Sequence, residues 1–168
     1  LSTALQMQNK NALDTLQRAA LLLPEDTEVQ YNLGTLLMNS GNLPQAENCF
    51  RRVTEIKRDH AEALYSLGNV RQQLGQYTEA VTSYRHLLKL KPNHPMVLNN
   101  LASALKEVGQ SEEAEEKYLS ALKLEPRSAL ILRNYGSLLR SVMRLAEAEK
   151  YFLSALEVDT KCIPAMLD

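Results

Sequence analysis

The stretch "LYSLGNVRQQLGQYTEA", Leu64–Ala80, carries two glycines, Gly68 and Gly75, inside a run with helical spacing. A glycine inside a helix costs about 1 kcal/mol relative to alanine, so their presence needs a reason. Gly34 stands 34 residues before Gly68 (68 − 34), Gly136 stands twice that distance after it, and Ala102 fills the place between. Gly75 has the same relation to Gly41 and Gly109, with Met143 in the last place of that series. Ala80 is one of a series with Ala12, Ala46, Ala114 and Ala148. Phe50, Tyr84, Tyr118 and Phe152 follow the last four of those alanines at a constant offset, and Leu16 follows Ala12. A fixed period of this size is the mark of a stacked-repeat architecture.

The pieces in register read "NLG" at Asn32–Gly34, "SLG" at Ser66–Gly68, "NLA" at Asn100–Ala102 and "NYG" at Asn134–Gly136. Prolines close three units at Pro24, Pro92 and Pro126, and Arg58 and Thr160 replace them in the others. This pattern resembles the tetratricopeptide repeat (TPR) family over nearly the whole chain. It departs in one respect: Gln30, Leu64, Leu98 and Leu132 stand where that family has its first aromatic residue.

The resemblance implies an all-α fold, a right-handed superhelical solenoid of antiparallel helix pairs. The array is expected to run through 1–168 as a partial repeat 1–26, full repeats 27–60, 61–94, 95–128 and 129–162, and the start of a further repeat at 163–168. First helices are expected near 27–40, 61–74, 95–108 and 129–142, and second helices near 43–57, 77–91, 111–125 and 145–159. A second helix near 9–23 precedes them, after the tail of a first helix. The first glycine of each repeat lets its two helices approach closely, and the alanine series does the same from the second helix. The second glycine ends the first helix, where a left-handed residue is needed. The turn at Met143 is therefore expected to be the least regular. No polar capping helix is apparent at either end, so the sequence reads as a fragment of a longer array.

Composition is ordinary for a folded domain: 45% hydrophobic, 23% charged, formal net charge −1. That balance, with no basic cluster, argues against a nucleic-acid partner. No apolar run reaches the roughly 18 residues needed to cross a membrane. A cytoplasmic location, or a nuclear one, is the expectation, with the proviso that a fragment lacks its parent's targeting segments.

The motif search finds no phosphate loop, zinc-protease motif or nucleophile elbow, so neither catalytic residues, metal nor cofactor is expected. Cys49 and Cys162 lie more than three repeats apart, roughly 30 Å at about 10 Å per helix layer, too far for a disulfide. Both read as buried or half-buried thiols. His60 and His94 share a place between repeats and read as solvated turn residues, while His86 sits on a second helix. The acidic run "SEEAEEK", Ser111–Lys117, reads either as a helix start, with Ser111 as N-cap and glutamates favouring the dipole, or as an acidic patch facing a partner.

The TPR resemblance places certain first-helix positions on a concave groove. Here these are Tyr31, Asn32 and Thr35, then Tyr65, Ser66 and Asn69, then Asn99, Asn100 and Ser103, and finally Arg133, Asn134, Ser137 and Arg140. An amide both donates and accepts, so a column of asparagines can pair with the backbone of an extended peptide whatever its side chains. The column resembles the asparagine ladder in the superhelical TPR arms of O-linked N-acetylglucosamine transferases; asparagine at this place is also frequent in TPRs generally, and both readings stand. The positions do not supply the cations of the carboxylate clamp by which TPR co-chaperones hold acidic chaperone tails. The expected function is a non-catalytic module that binds an extended segment of a protein partner. Two alternatives are the substrate-recruiting arm of a larger enzyme such as a glycosyltransferase, and a scaffold that associates with itself through uncapped ends or its convex face.

Overall fold

The computed structural model describes residues 2–162, with side chains described for 11–158. Among the described residues the chain is all-α, with nine helices and no strand. They group into two compact units, Leu1–Leu90 and Lys91–Asp168. The first holds α1 (Ser2–Leu22), α2 (Thr27–Asn39), α3 (Leu43–Ile56), α4 (Ala61–Gln73) and α5 (Tyr77–Leu90). The second holds α6 (Pro95–Glu107), α7 (Ser111–Leu124), α8 (Ala129–Ser141) and α9 (Leu145–Cys162).

Helix starts at 27, 61, 95 and 129, and again at 43, 77, 111 and 145, keep the 34-residue spacing of the sequence. Within each unit the contacts run from each helix to the next, as expected for helix pairs joined by short turns. Gly41, Gly75 and Gly109 take φ of 80°, 74° and 78°, the left-handed conformation that ends a helix. Met143 takes it too, with φ 62°. Its turn is not the least regular. Val142, Met143 and Arg144 N–H groups donate to Leu138, Arg140 and Leu139 carbonyls, the pattern that Ser40, Gly41 and Asn42 make with Leu36, Met38 and Leu37. Packing of α8 on α9 imposes the turn on a side chain that does not favour it.

The N-terminal region departs from expectation in a different way. α1 is one continuous helix, Ser2–Leu22, without a turn before residue 9. Met7 stands at the register place of Gly41 (41 − 34), and the helix runs through it unbroken. At the other end α9 continues to Cys162, beyond the expected 159. Arg58 leaves α3 ending at Ile56, so a missing proline does not by itself prolong a helix. The expected repeat start at 163–168 lies outside the described residues.

Buried apolar residues of α2, α3 and α4, among them Leu37, Phe50, Leu67 and Val70, form a core cluster of the first unit, with Leu13, Leu16 and Ala20 of α1 packed against it, and α5 buries Val81, Tyr84 and Leu87. Tyr118, Leu101, Leu105, Ile131 and Leu138 are buried in the second. Burying a side chain of this size stabilises by about 1.5–3 kcal/mol. In three of the repeats the aromatic of the second helix lies against the first glycine. A Cβ added at Gly34 would stand 2.9 Å from Phe50 Cε1, one at Gly68 would stand 2.8 Å from Tyr84 Cδ1, and one at Gly136 would stand 2.9 Å from Phe152 Cε1. Ala46, Ala80 and Ala114 are wholly buried on the facing helices. The glycines are thus ring seats, which answers why a helix accepts Gly68.

Candidate functional site on the first helices

In the first unit the relevant face is built on α2 and α4. Asn32 is exposed and Thr35 half-buried, with the Thr35 hydroxyl donating to the Tyr31 carbonyl at 2.9 Å. The Tyr31 ring packs on Phe50 at 5.6 Å between centroids and stacks on His60 at 5.3 Å. His60 is accordingly a packing and capping residue, not a solvated turn residue: its Nδ1 accepts the Ala63 N–H at 3.3 Å at the start of α4. Tyr65 is half-buried and Ser66 buried, so Ser66 has little surface to offer a partner. The Tyr84 hydroxyl, held behind α4, lies 2.7 Å from Asn69 Oδ1 and 3.0 Å from Gln72 Oε1. Its single proton is given to one of these oxygens at a time.

In the second unit the face is built on α6 and α8. Asn99 is only 2% exposed; it belongs to the core side of α6 and does not line an open surface. It lies there because its amide is satisfied: Nδ2 donates to Asn100 Oδ1 at 3.0 Å and Oδ1 accepts from Asn134 Nδ2 at 3.0 Å. Three of the expected site residues are thereby joined in one relay. Ser103 hydrogen-bonds the Tyr118 hydroxyl, whose pKa burial pushes up to about 12. Ser137 is half-buried, and Arg133 and Arg140 are exposed. The Arg140 guanidinium stands 6.0 Å from the Phe152 ring centroid, at the limit of a cation–π contact.

Helix pairs at a 34-residue spacing, ring seats on glycine and left-handed turns are now joined by two sequence matches. A tetratricopeptide repeat family model matches residues 25–93 and 59–125, and a second matches 99–161. The chain belongs to the tetratricopeptide repeat family. TPRs are protein-interaction scaffolds, and this array is a module of that kind. Solved structures of MamA are similar in fold. "Crystal structure of MamA" superposes with a TM-score of 0.86 at 20% identity, over 97% of this chain and 95% of that one. MamA from Desulfovibrio magneticus RS-1 gives 0.85 at 23%, over 91% and 86%, and MamA MSR-1 gives 0.82 at 23%, over 96% and 92%. At these identities the likeness is one of fold. No curated protein matches the sequence.

The TPR framework also carries ionic links that the motif search missed. Arg71 on α4 bonds Glu47 on α3 at 3.1 Å and Ser83 on α5 at 2.9 Å. In the second unit Glu115 on α7 accepts the Tyr135 hydroxyl at 2.6 Å and both arms of a contact with Arg144 Nη1 at 2.8 and 2.7 Å. Arg144 also holds Glu147 at 2.7 Å. The Glu115 carboxyl is kept below its ordinary range first by the Tyr135 bond and then by Arg144. Glu47 and Glu115 share one repeat place (115 − 47 = 68), a signal that was present in the register. It assigns one glutamate of the acidic run to structure. Ser111 is no N-cap: it is the first residue of α7, and Gln110 before it makes no side-chain cap.

His86 Nε2 stands 3.9 Å from Asp59 Oδ1, and His94 precedes α6 without a side-chain cap. Among the described residues no three ligands cluster for a metal. No helix among them is long and apolar enough to cross a membrane. Cys49 is a buried free thiol, its pKa raised by burial; the Cys162 side chain lies outside the described residues.

Proposed function

We propose that the first-helix faces bind an extended segment of a protein partner by its backbone, without catalysis of their own. The observation that carries this reading is the recurrence of half-exposed or exposed amides and hydroxyls on these helices: Asn32, Thr35 and Asn69 in the first unit, Asn100, Ser103, Asn134 and Ser137 in the second. Each can exchange a water for a peptide N–H or C=O, at a net gain of about 0.5–1.5 kcal/mol per bond. Exposed Arg133 and Arg140 add a salt-sensitive attraction for acidic residues of the partner. A cytoplasmic setting, or a nuclear one, is part of the same proposal.

The test is capture of partners on the immobilised protein, peptide mapping of the bound segment, and titration of that peptide against wild type and Asn134→Ala at two salt concentrations. A weaker Kd for Asn134→Ala, and weakening with salt that Arg133→Ala reduces, support the reading. Unchanged affinity would move the site off these faces. Self-association is the second reading. Leu21 and Leu22 are 81% and 80% exposed, and Leu21 borders an apolar hollow of about 480 Å³ between α1, α2 and α3. Light scattering over a concentration series decides it: a mass that stays monomeric removes this reading.

A further inference from the structure

The asparagines on α6 and α8 are not equivalent. Asn134 is half-buried and sits at the surface of the second unit, whereas Asn99 is 2% exposed beneath it. The Asn99 amide is fixed at both ends, donating to Asn100 Oδ1 and accepting from Asn134 Nδ2, each at 3.0 Å. Turning Asn99 over alone would set oxygen against oxygen at Asn100 and nitrogen against nitrogen at Asn134. A buried polar group would then lack its partner, which is the costly failure of a hydrogen-bonded network. The two ends of an asparagine amide point apart, so a side chain held by its nitrogen turns its oxygen away.

We infer that Asn99 is a positioning residue of the proposed peptide site: by holding the Asn134 nitrogen from below, it turns the Asn134 carbonyl oxygen toward the bound chain as an acceptor for a backbone N–H. The inference rests on the proposed function and sharpens it. A freely turning asparagine meets either an N–H or a C=O of a peptide. A fixed one meets only one of them, and so sets the register in which the peptide lies against α8. Tyr31, Tyr65 and Arg133 occupy the place of Asn99 in the other repeats. None of them has an amide to hold the neighbouring helix in this way.

Two measurements test this. In labelled wild-type protein, NMR should detect scalar coupling across the hydrogen bond from Asn134 Nδ2 to Asn99 Cγ; coupling in the reverse sense, from Asn99 Nδ2 to Asn134 Cγ, or none, overturns the inference. For binding, the probe is a short peptide selected on the protein from a random display library and shown to depend on Asn134. Asn99→Leu should bind it about 2- to 10-fold more weakly, the worth of one net hydrogen bond. Asn99→Asp keeps an acceptor for the Asn134 N–H, although its other oxygen now faces Asn100 Oδ1 in place of a donor, and should lose less affinity than Asn99→Leu. Equal binding by Asn99→Leu, or equal losses in both variants, overturns the inference. If Asn99→Leu does not fold, replacing each backbone amide of the peptide by an ester serves instead. One position should then lose affinity against wild type but not against Asn134→Ala, and a peptide with no such position overturns the inference. Failure to select any peptide that depends on Asn134 overturns the proposed function and this inference with it, whatever the NMR coupling shows.

Discussion

Gly34 and Gly68 hold the same place in successive repeats, yet their ring partners differ in freedom. Phe50 packs against Gly34 through carbon alone, whereas Tyr84 is also tied by its hydroxyl to Asn69 and Gln72. A methyl group at Gly68 meets a ring that cannot swing aside without breaking that bond. Gly68→Ala should therefore destabilise by about 1–3 kcal/mol, the range for overpacking, even after the gain in helix propensity. Gly34→Ala should cost less. Urea unfolding of both variants checks this, and equal costs would show that the hydroxyl is no anchor. Met143 offers the opposite sign. Its φ of 62° strains any residue with a Cβ, so Met143→Gly should stabilise by about 0.5–1 kcal/mol. A lower melting temperature in that variant would mean that the Met143 side chain contributes packing that outweighs the strain.

At the scale of helices, the link from α7 to α8 and to the start of α9 runs through Glu115, which accepts from the buried Tyr135 hydroxyl and from Arg144. Its folded pKa is depressed from the ordinary value of 4.5. A depressed carboxylate contributes stability that is present above its unfolded pKa and is lost as pH falls through the folded value. Wild type should thus lose stability below about pH 4.5, and Glu115→Gln should show a shallower loss over the same range. At neutral pH that variant should be weaker by about 1–2 kcal/mol, a hydrogen bond to a charged acceptor discounted for partial exposure. Denaturation curves from neutral pH downward measure both, and parallel pH profiles would refute the assignment. This link also marks how much the sequence could reveal. Helix starts and ring seats follow from one period and are legible in it. The partnership of Glu115 with Arg144 depends on how two side chains meet across 29 residues, which no local pattern encodes. The place of Asn99 is hidden for a related reason: family register assigns it to the open face, and only packing of α6 on α8 shows its amide turned inward.

For the molecule as a whole, the division at 91–94 falls in a link that carries Pro92. The buried residues of the first unit come from α2, α3, α4 and α5, with α1 packed against α2. Repeat arrays owe their stability to each repeat and its nearest neighbours. Residues 1–90 produced alone should therefore stay helical and unfold cooperatively, with a lower midpoint than the full chain. Circular dichroism during urea titration checks this, and a coil spectrum for 1–90 in buffer would show that the first unit cannot fold without residues 91–168.

The oxygen of Tyr84 has a consequence for how this protein changes over generations. It lies in the interior, yet it touches an amide that partners are proposed to meet. A single exchange of tyrosine for phenylalanine, already present at Phe50 and Phe152, leaves the outer residues untouched while releasing that amide. Recognition can therefore drift through substitutions that a survey of surface positions would pass over as silent.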